Sequence, residues 1–150
     1  MKKIYLLIIL VAFSFSCSHR SDSGTSIVFH KTHEPKKENA PFSDAVQVGD
    51  LYFLSGQIGM DHTTRKLVAG GVEEETKQTL ENIKAVLKQH DMGMNNVVKC
   101  TVILADIKDF AAFNEVYKTY FPQKPARTTF AAKGLAVGAK IEIECIAAKN

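Results

Sequence analysis

An α+β domain, built on a mixed β-sheet with two helices packed on one face, follows from three patterns in the chain. Two alternating apolar segments are joined by a two-residue Gly-Asp turn, two later segments repeat their apolar residues at helical spacing, and each of those is followed by a strand-like segment. The turn gives an antiparallel pair, while strand-helix-strand repeated twice gives parallel crossovers, so the sheet must be mixed. A chain of 150 residues with 45% hydrophobic composition buries one ordinary core and is too short for two sizeable domains.

The first residues stand apart from that domain. Met1-Lys2-Lys3 precedes an uncharged, mostly apolar run from Ile4 to Phe15, which is shorter than the ~20 residues a membrane-spanning helix needs. A charged start, an apolar run and the small residue Ser16 before Cys17 resemble a bacterial lipoprotein signal. Residues 1–16 are therefore read as a signal peptide and Cys17 as the lipidated N-terminus of an exported, membrane-anchored protein. Ser18 rather than Asp follows the cysteine, which points to the outer membrane or periplasm. Residues 17–25 are polar and Ser-rich, a flexible tether, and the domain is taken as 26–150.

Within the domain, Ile27-Val28-Phe29-His30 reads as a short strand, and Thr32 to Asn39 as a charged loop broken by Pro35. Ala45 to Val48 and Leu51 to Ile58 form a hairpin about Gly49-Asp50, where glycine supplies the positive φ. From Val72 to His90 the positions Val72, Thr76, Leu80, Ile83, Val86 and Leu87 share one helical face, with acids in the first turn and Gly93 after the end. Val97 to Leu104 is β-branched and reads as a central strand. Asp106 is placed to cap a second helix running to about Phe121, with Phe110, Phe113, Tyr117 and Tyr120 or Phe121 turned inward. Arg127 to Ala132 and Lys140 to Ala148 are the last strands, expected as a hairpin around Gly134 to Gly138. One face of such a sheet lacks a cover within the chain, so self-association is expected.

Several function classes fall away on composition. Without residues 1–16, which hold Lys2 and Lys3 and no acid, the formal charge drops from +3 to +1, 17 basic against 16 acidic residues. No basic block remains to follow phosphates, so nucleic acid is not an expected partner, and no plausible His pair for ribonuclease chemistry is legible. His30 and His33 lack a third ligand nearby, so no metal site is expected. Cys100 and Cys145 alternate in step with aliphatic neighbours and read as buried free thiols; a disulfide is allowed outside the cytoplasm but not required.

The chemistry-bearing candidates lie near the C-terminus. Arg127 offers a planar, permanently charged fork suited to a carboxylate, and Glu142 occupies the polar side of a strand whose other side is Ile141, Ile143, Cys145 and Ala147. Such a pair suggests a carboxylate clamp beside a water-activating acid, although charges of this kind are most often simply solvated.

Ser55-Gly56-Gln57-Ile58, Asn82-Ile83-Lys84-Ala85-Val86-Leu87, Val98-Lys99-Cys100-Thr101-Val102, Phe113-Asn114-Glu115-Val116-Tyr117, Pro125-Ala126-Arg127-Thr128 and Ile141-Glu142-Ile143-Glu144, in this order, closely resemble the reactive-intermediate deaminase family, also called the RidA/YjgF/UK114 family. The resemblance runs from about Asn39 to Ala148. It implies a homotrimer whose sheets form a central barrel, with clefts between subunits. It also implies hydrolysis of small enamine or imine acids, of the 2-iminobutanoate and 2-iminopropanoate type, to 2-oxo acids and ammonia, without metal or organic cofactor. On the matching positions, Arg127 would hold the substrate carboxylate and Glu142 would activate water. Ser55, Gly56 and Phe42 would line the pocket, and the Thr129 backbone would meet the nitrogen-bearing end. Many members carry Gly-Pro-Tyr where this chain reads Pro41-Phe42-Ser43-Asp44, which keeps an aromatic wall without the phenol. The alternative implied by that change and by export is a non-catalytic trimer that binds a small carboxylate at the cell envelope.

Overall fold

A computed structural model describes residues 25–32 and 34–149. The signal segment 1–16, Cys17, the tether as far as residue 24, and His33 lie outside the described residues. The strands are β1 (Ile27–His30), β2 (Ala45–Val48), β3 (Leu51–Ile58), β4 (Met60–Asp61), β5 (Lys66–Leu67), β6 (Val97–Leu104), β7 (Ala126–Ala131) and β8 (Ile141–Ala148). The helices are α1 (Gly71–Lys88) and α2 (Phe110–Tyr120).

The main sheet has six strands in the order β1-β2-β3-β8-β6-β7. The β2–β3 hairpin turns at Gly49, whose φ is +59°, as its Gly-Asp sequence predicts. β6 and β7 are parallel neighbours joined through α2. β8 runs antiparallel to both β3 and β6 and sits between them. The expected hairpin between the last two strands therefore does not form. After α2 returns the chain to place β7 parallel to β6, the far side of β6 is the position still open, and β8 takes it. A small separate hairpin, β4 with β5, was not legible in the pattern.

Alternation fixes the two faces of the sheet. Tyr52, Leu54, Cys100, Val102, Leu104, Ile141, Ile143, Cys145 and Ala147 are buried beneath the helices. Against them α1 sets Val72, Thr76, Leu80, Ile83, Val86 and Leu87, and α2 sets Phe113 and Tyr117. Each large apolar side chain buried in this way contributes about 1.5–3 kcal/mol relative to exposure. Asp106 does cap, accepting from the Lys108 N–H at 2.9 Å, but it opens a 3-10 turn that precedes α2. That turn rotates Phe110 outward, so this residue, expected in the core, is 40% exposed.

The opposite face is open. Ile27, Phe29, Leu51, Phe53 and Phe130 stand exposed on it, with Phe53 at 42% and Phe130 at 46%. Cys100 and Cys145 are both buried free thiols, their sulfurs 3.2 Å apart across β6 and β8. Contact with Cys100 and burial push the Cys145 thiol well above its usual value, which keeps it protonated.

Candidate active site

Arg127 and Glu142 lie on opposite faces of the sheet. Arg127 is the register partner of Cys100, and Cys100 faces Cys145 beneath the helices. Glu142, three residues before Cys145 on β8, points to the other side, paired with Ile103 and Ile58. Within one protomer the two are not brought together. Each instead borders its own cavity.

The Glu142 half is built by a β-bulge. Between Leu54 and Gln57 the β3 strand carries one residue more than β8, so the register with β8 slips at Ser55-Gly56. Gly56 then lies directly against Glu142: a Cβ there would overlap the carboxylate, with Glu142 Cδ at 3.0 Å. A cavity of about 300 Å³ opens at this point, with Phe42, Gly56, Ile58, Val137 and Glu142 among its walls. Phe42 is 54% exposed at its edge. Ser55 does not line the cavity; its hydroxyl donates to the Ser43 carbonyl at 2.6 Å and fastens the segment that carries Phe42. Behind the bulge Asn82 of α1 donates to the Ile58 and Met60 carbonyls at 3.0 and 2.9 Å, fixing the cavity floor to the helix. Partial burial, and then the charge of Glu144, raise the Glu142 carboxyl above its ordinary value, which makes it a better proton acceptor.

The Arg127 half sits at the edge strand. Its guanidinium lies 4.6 Å from the Tyr117 ring centre and 5.2 Å from that of Phe113, and Nη1 donates to Asn114 Oδ1 at 2.8 Å. Three side chains of α2 thus hold the fork, and among the described residues most of its five donors are uncommitted. A cavity of about 360 Å³, bordered by Lys118 and Lys124, opens beside it. Thr129, two residues on, shares this side of the strand, and its Oγ1 is buried without a hydrogen-bond partner.

Sequence reasoning missed the role of Asn114, which the motif contained but spacing alone could not aim. It also missed a basic group at the cavity mouth, Lys37, His62 and Arg65. The fold does bring two histidines together: the rings of His30 and His90 are 4.3 Å apart, on β1 and after α1, His30 stacked on Tyr52 and His90 tilted against it, and both are remote from Glu142 in sequence and in cavity. The pairing depends on β1 folding over the end of α1, which no local pattern reveals. Burial and the neighbouring His30 lower the His90 pKa, favouring a neutral ring.

The family described as Endoribonuclease L-PSP matches residues 32–149. The 2-iminobutanoate/2-iminopropanoate deaminase of Mus musculus is 48% identical over 111 residues, covering 73% of this chain and 82% of that protein. Among solved structures, YEO7 of yeast superposes with a TM-score of 0.77 at 38% identity, over 83% of this chain and 100% of that one. TdcF of E. coli, solved with bound serine, gives 0.70 at 33% identity over 74% of this chain and 90% of its own.

Proposed function

The chain belongs to the RidA/YjgF/L-PSP family, and from that premise we propose that it hydrolyses small imine acids of the 2-iminobutanoate and 2-iminopropanoate type to 2-oxo acids and ammonia. The observation that carries the reading is the division of Arg127 and Glu142 between the two faces of one sheet. A clamp and an acid so divided become one site only where the Arg127 edge of one copy meets the Glu142 cavity of another. The exposed apolar open face, with Phe53 and Phe130, supplies a reason for copies to associate, and a homotrimer is a closed arrangement in which every copy gives both halves.

In that arrangement Arg127 grips the substrate carboxylate and so orients the adjacent imine carbon beside Glu142. Glu142 takes a proton from water as the water oxygen bonds to carbon and passes it to the imine nitrogen, giving a carbinolamine. The carbinolamine then collapses: the hydroxyl proton passes by way of Glu142 to the amino group, the C–N bond breaks as the carbonyl forms, and ammonia leaves with Glu142 again ionised. Orientation plus a general base, the latter about 10²–10⁴-fold, suffices for a substrate that already hydrolyses unaided. Phe42 gives this pocket an aromatic wall with no hydroxyl.

The test is release of ammonia or 2-oxo acid from freshly generated 2-iminopropanoate and 2-iminobutanoate, with Arg127→Ala and Glu142→Gln proteins alongside. Acceleration by the wild type that both variants lose supports the reading. If a folded protein binds small carboxylates through Arg127 without acceleration, the cleft is a carboxylate-binding module and not an enzyme.

The proposal extends to location: an exported protein held at the outer membrane or periplasm by lipid on Cys17, the reading supported by the apolar run before it. Detergent-phase partitioning of the full chain against Cys17→Ser checks this. Equal partitioning of the two proteins would remove the anchor from the account.

A further inference from the structure

The Glu142 cavity is lined by basic side chains that a small monocarboxylic imine held by Arg127 would not use. Lys37, His62 and Arg65 all line it. They converge on one carboxylate, Glu34, which is only 6% exposed. Lys37 Nζ lies 2.6 Å and His62 Nδ1 3.2 Å from Glu34 Oε1, while Arg65 Nη1 lies 3.1 Å from Oε2. Lys36 joins the same assembly, donating to the Thr63 carbonyl at 2.8 Å. Asp61, the nearest other acid on the hairpin, is turned to its own backbone, accepting from the Thr63 and Thr64 N–H groups at 2.8 and 2.7 Å. One buried negative charge therefore faces two permanent positive charges and an imidazole.

Fastening the hairpin to the 34–37 segment does not need all three basic partners on Glu34. Lys37 alone neutralises Glu34. Arg65 occupies the left-handed region, with φ at +59°, in the turn between β4 and β5, where glycine is the residue that fits without strain. Asp91, Lys124 and Val137 share that conformation, so it is the donors that single Arg65 out: one Nη lies on Glu34 and, among the described residues, its other guanidinium N–H groups have no hydrogen-bond partner, which leaves them for a ligand.

We propose that Lys37 and Arg65, set in place by Glu34, form a second anion subsite that selects substrates with a distal carboxylate, so that the imines taken up are those of acidic 2-amino acids. This rests on the deaminase reading above. Arg127 of an adjacent copy would take the carboxylate next to the imine, Glu142 the water, and the mouth of the cavity the far carboxylate. A cavity of about 300 Å³ is of the size that holds a four- or five-carbon diacid.

The test uses the full chain, with Arg65→Gly, chosen because glycine suits the turn, and Lys37→Gln. Steady-state hydrolysis of the imine of 2-oxoglutarate is compared with that of 2-iminobutanoate, and calorimetric binding of 2-oxoglutarate with that of 2-oxobutanoate. The expected result is a preference of about tenfold or more for the dicarboxylic compound in KM and Kd, lost in Arg65→Gly while the monocarboxylic values hold. No preference in the wild type, an equal change for both compounds in the variants, or no binding of either overturns the proposal. Preferential binding without hydrolysis of either imine leaves the subsite standing and removes the deaminase reading. Hydrolysis of both imines without preference does the reverse.

Discussion

Arg127 and Glu142 are set by opposite means on opposite faces of one sheet. Arg127 lies on an edge strand and is held by what packs over it, the Tyr117 and Phe113 rings and the Asn114 amide of α2. Glu142 lies on an interior strand and is held by what is missing beside it, the side chain of Gly56 at the bulge in β3. The cation is thus positioned by the hydrophobic core and the acid by backbone irregularity. A contrast of this kind teaches that one sheet can position two charged groups by different means and leave them on opposite faces of one protomer.

The comparison breaks hardest at Arg127. Arg127→Ala removes the clamp and should weaken carboxylate binding by ~2–5 kcal/mol, read by calorimetry. It also forfeits the cation–π contact with Tyr117, about 0.5–2 kcal/mol of stability, read by denaturant unfolding. Glu142→Gln should separate the halves in the opposite sense, with turnover falling about 10²–10⁴-fold while Kd for a 2-oxo acid holds within a few-fold. A parallel loss of affinity would show that Glu142 binds substrate and does not act on water.

A smaller effect concerns pH. Burial and Glu144 raise the Glu142 carboxyl, and turnover requires its ionised form, so the rate should fall with decreasing pH at a higher pH than the ~4.3 of an ordinary glutamate would give. Glu144→Gln, which removes the second cause, should move that fall to lower pH. The linkage has a matching sign: a raised carboxyl favours the folded state below its unfolded value, and that contribution is lost as pH rises through the folded one. Glu142→Gln should flatten that part of the stability profile. The smallest effect is expected at Thr129. Thr129→Val deletes a buried hydroxyl without a hydrogen-bond partner and should leave stability unchanged or higher by about 1 kcal/mol, read by thermal unfolding.

The two halves were unequally legible in the sequence. Period-two alternation placed Glu142 opposite Ile141 and Ile143, and helical spacing found the buried face of α1 residue by residue. Gly49-Asp50 marked its own turn. Alternation gives a phase within each strand, however, and not the relative phase of strands separated by a crossover. Hence Arg127 and Glu142 were read as neighbours when the fold puts the sheet between them. The final hairpin failed for a related reason, since the 134–138 connection carries β8 past β6 and the choice of pairing partner is a tertiary one. Arg65 hid the β4–β5 turn because the position that calls for glycine carries a charged side chain.

Subunit complementation tests the divided site most directly. Arg127→Ala and Glu142→Gln chains, each inactive alone, are co-expressed under two affinity tags, and the doubly tagged oligomers are assayed with 2-iminobutanoate. If each site takes Arg127 from one copy and Glu142 from its neighbour, every doubly tagged trimer carries one wild-type site, about a third of the wild-type number, and the mixed oligomers hydrolyse the imine. Mixed oligomers no more active than either parent would contradict a site shared between copies.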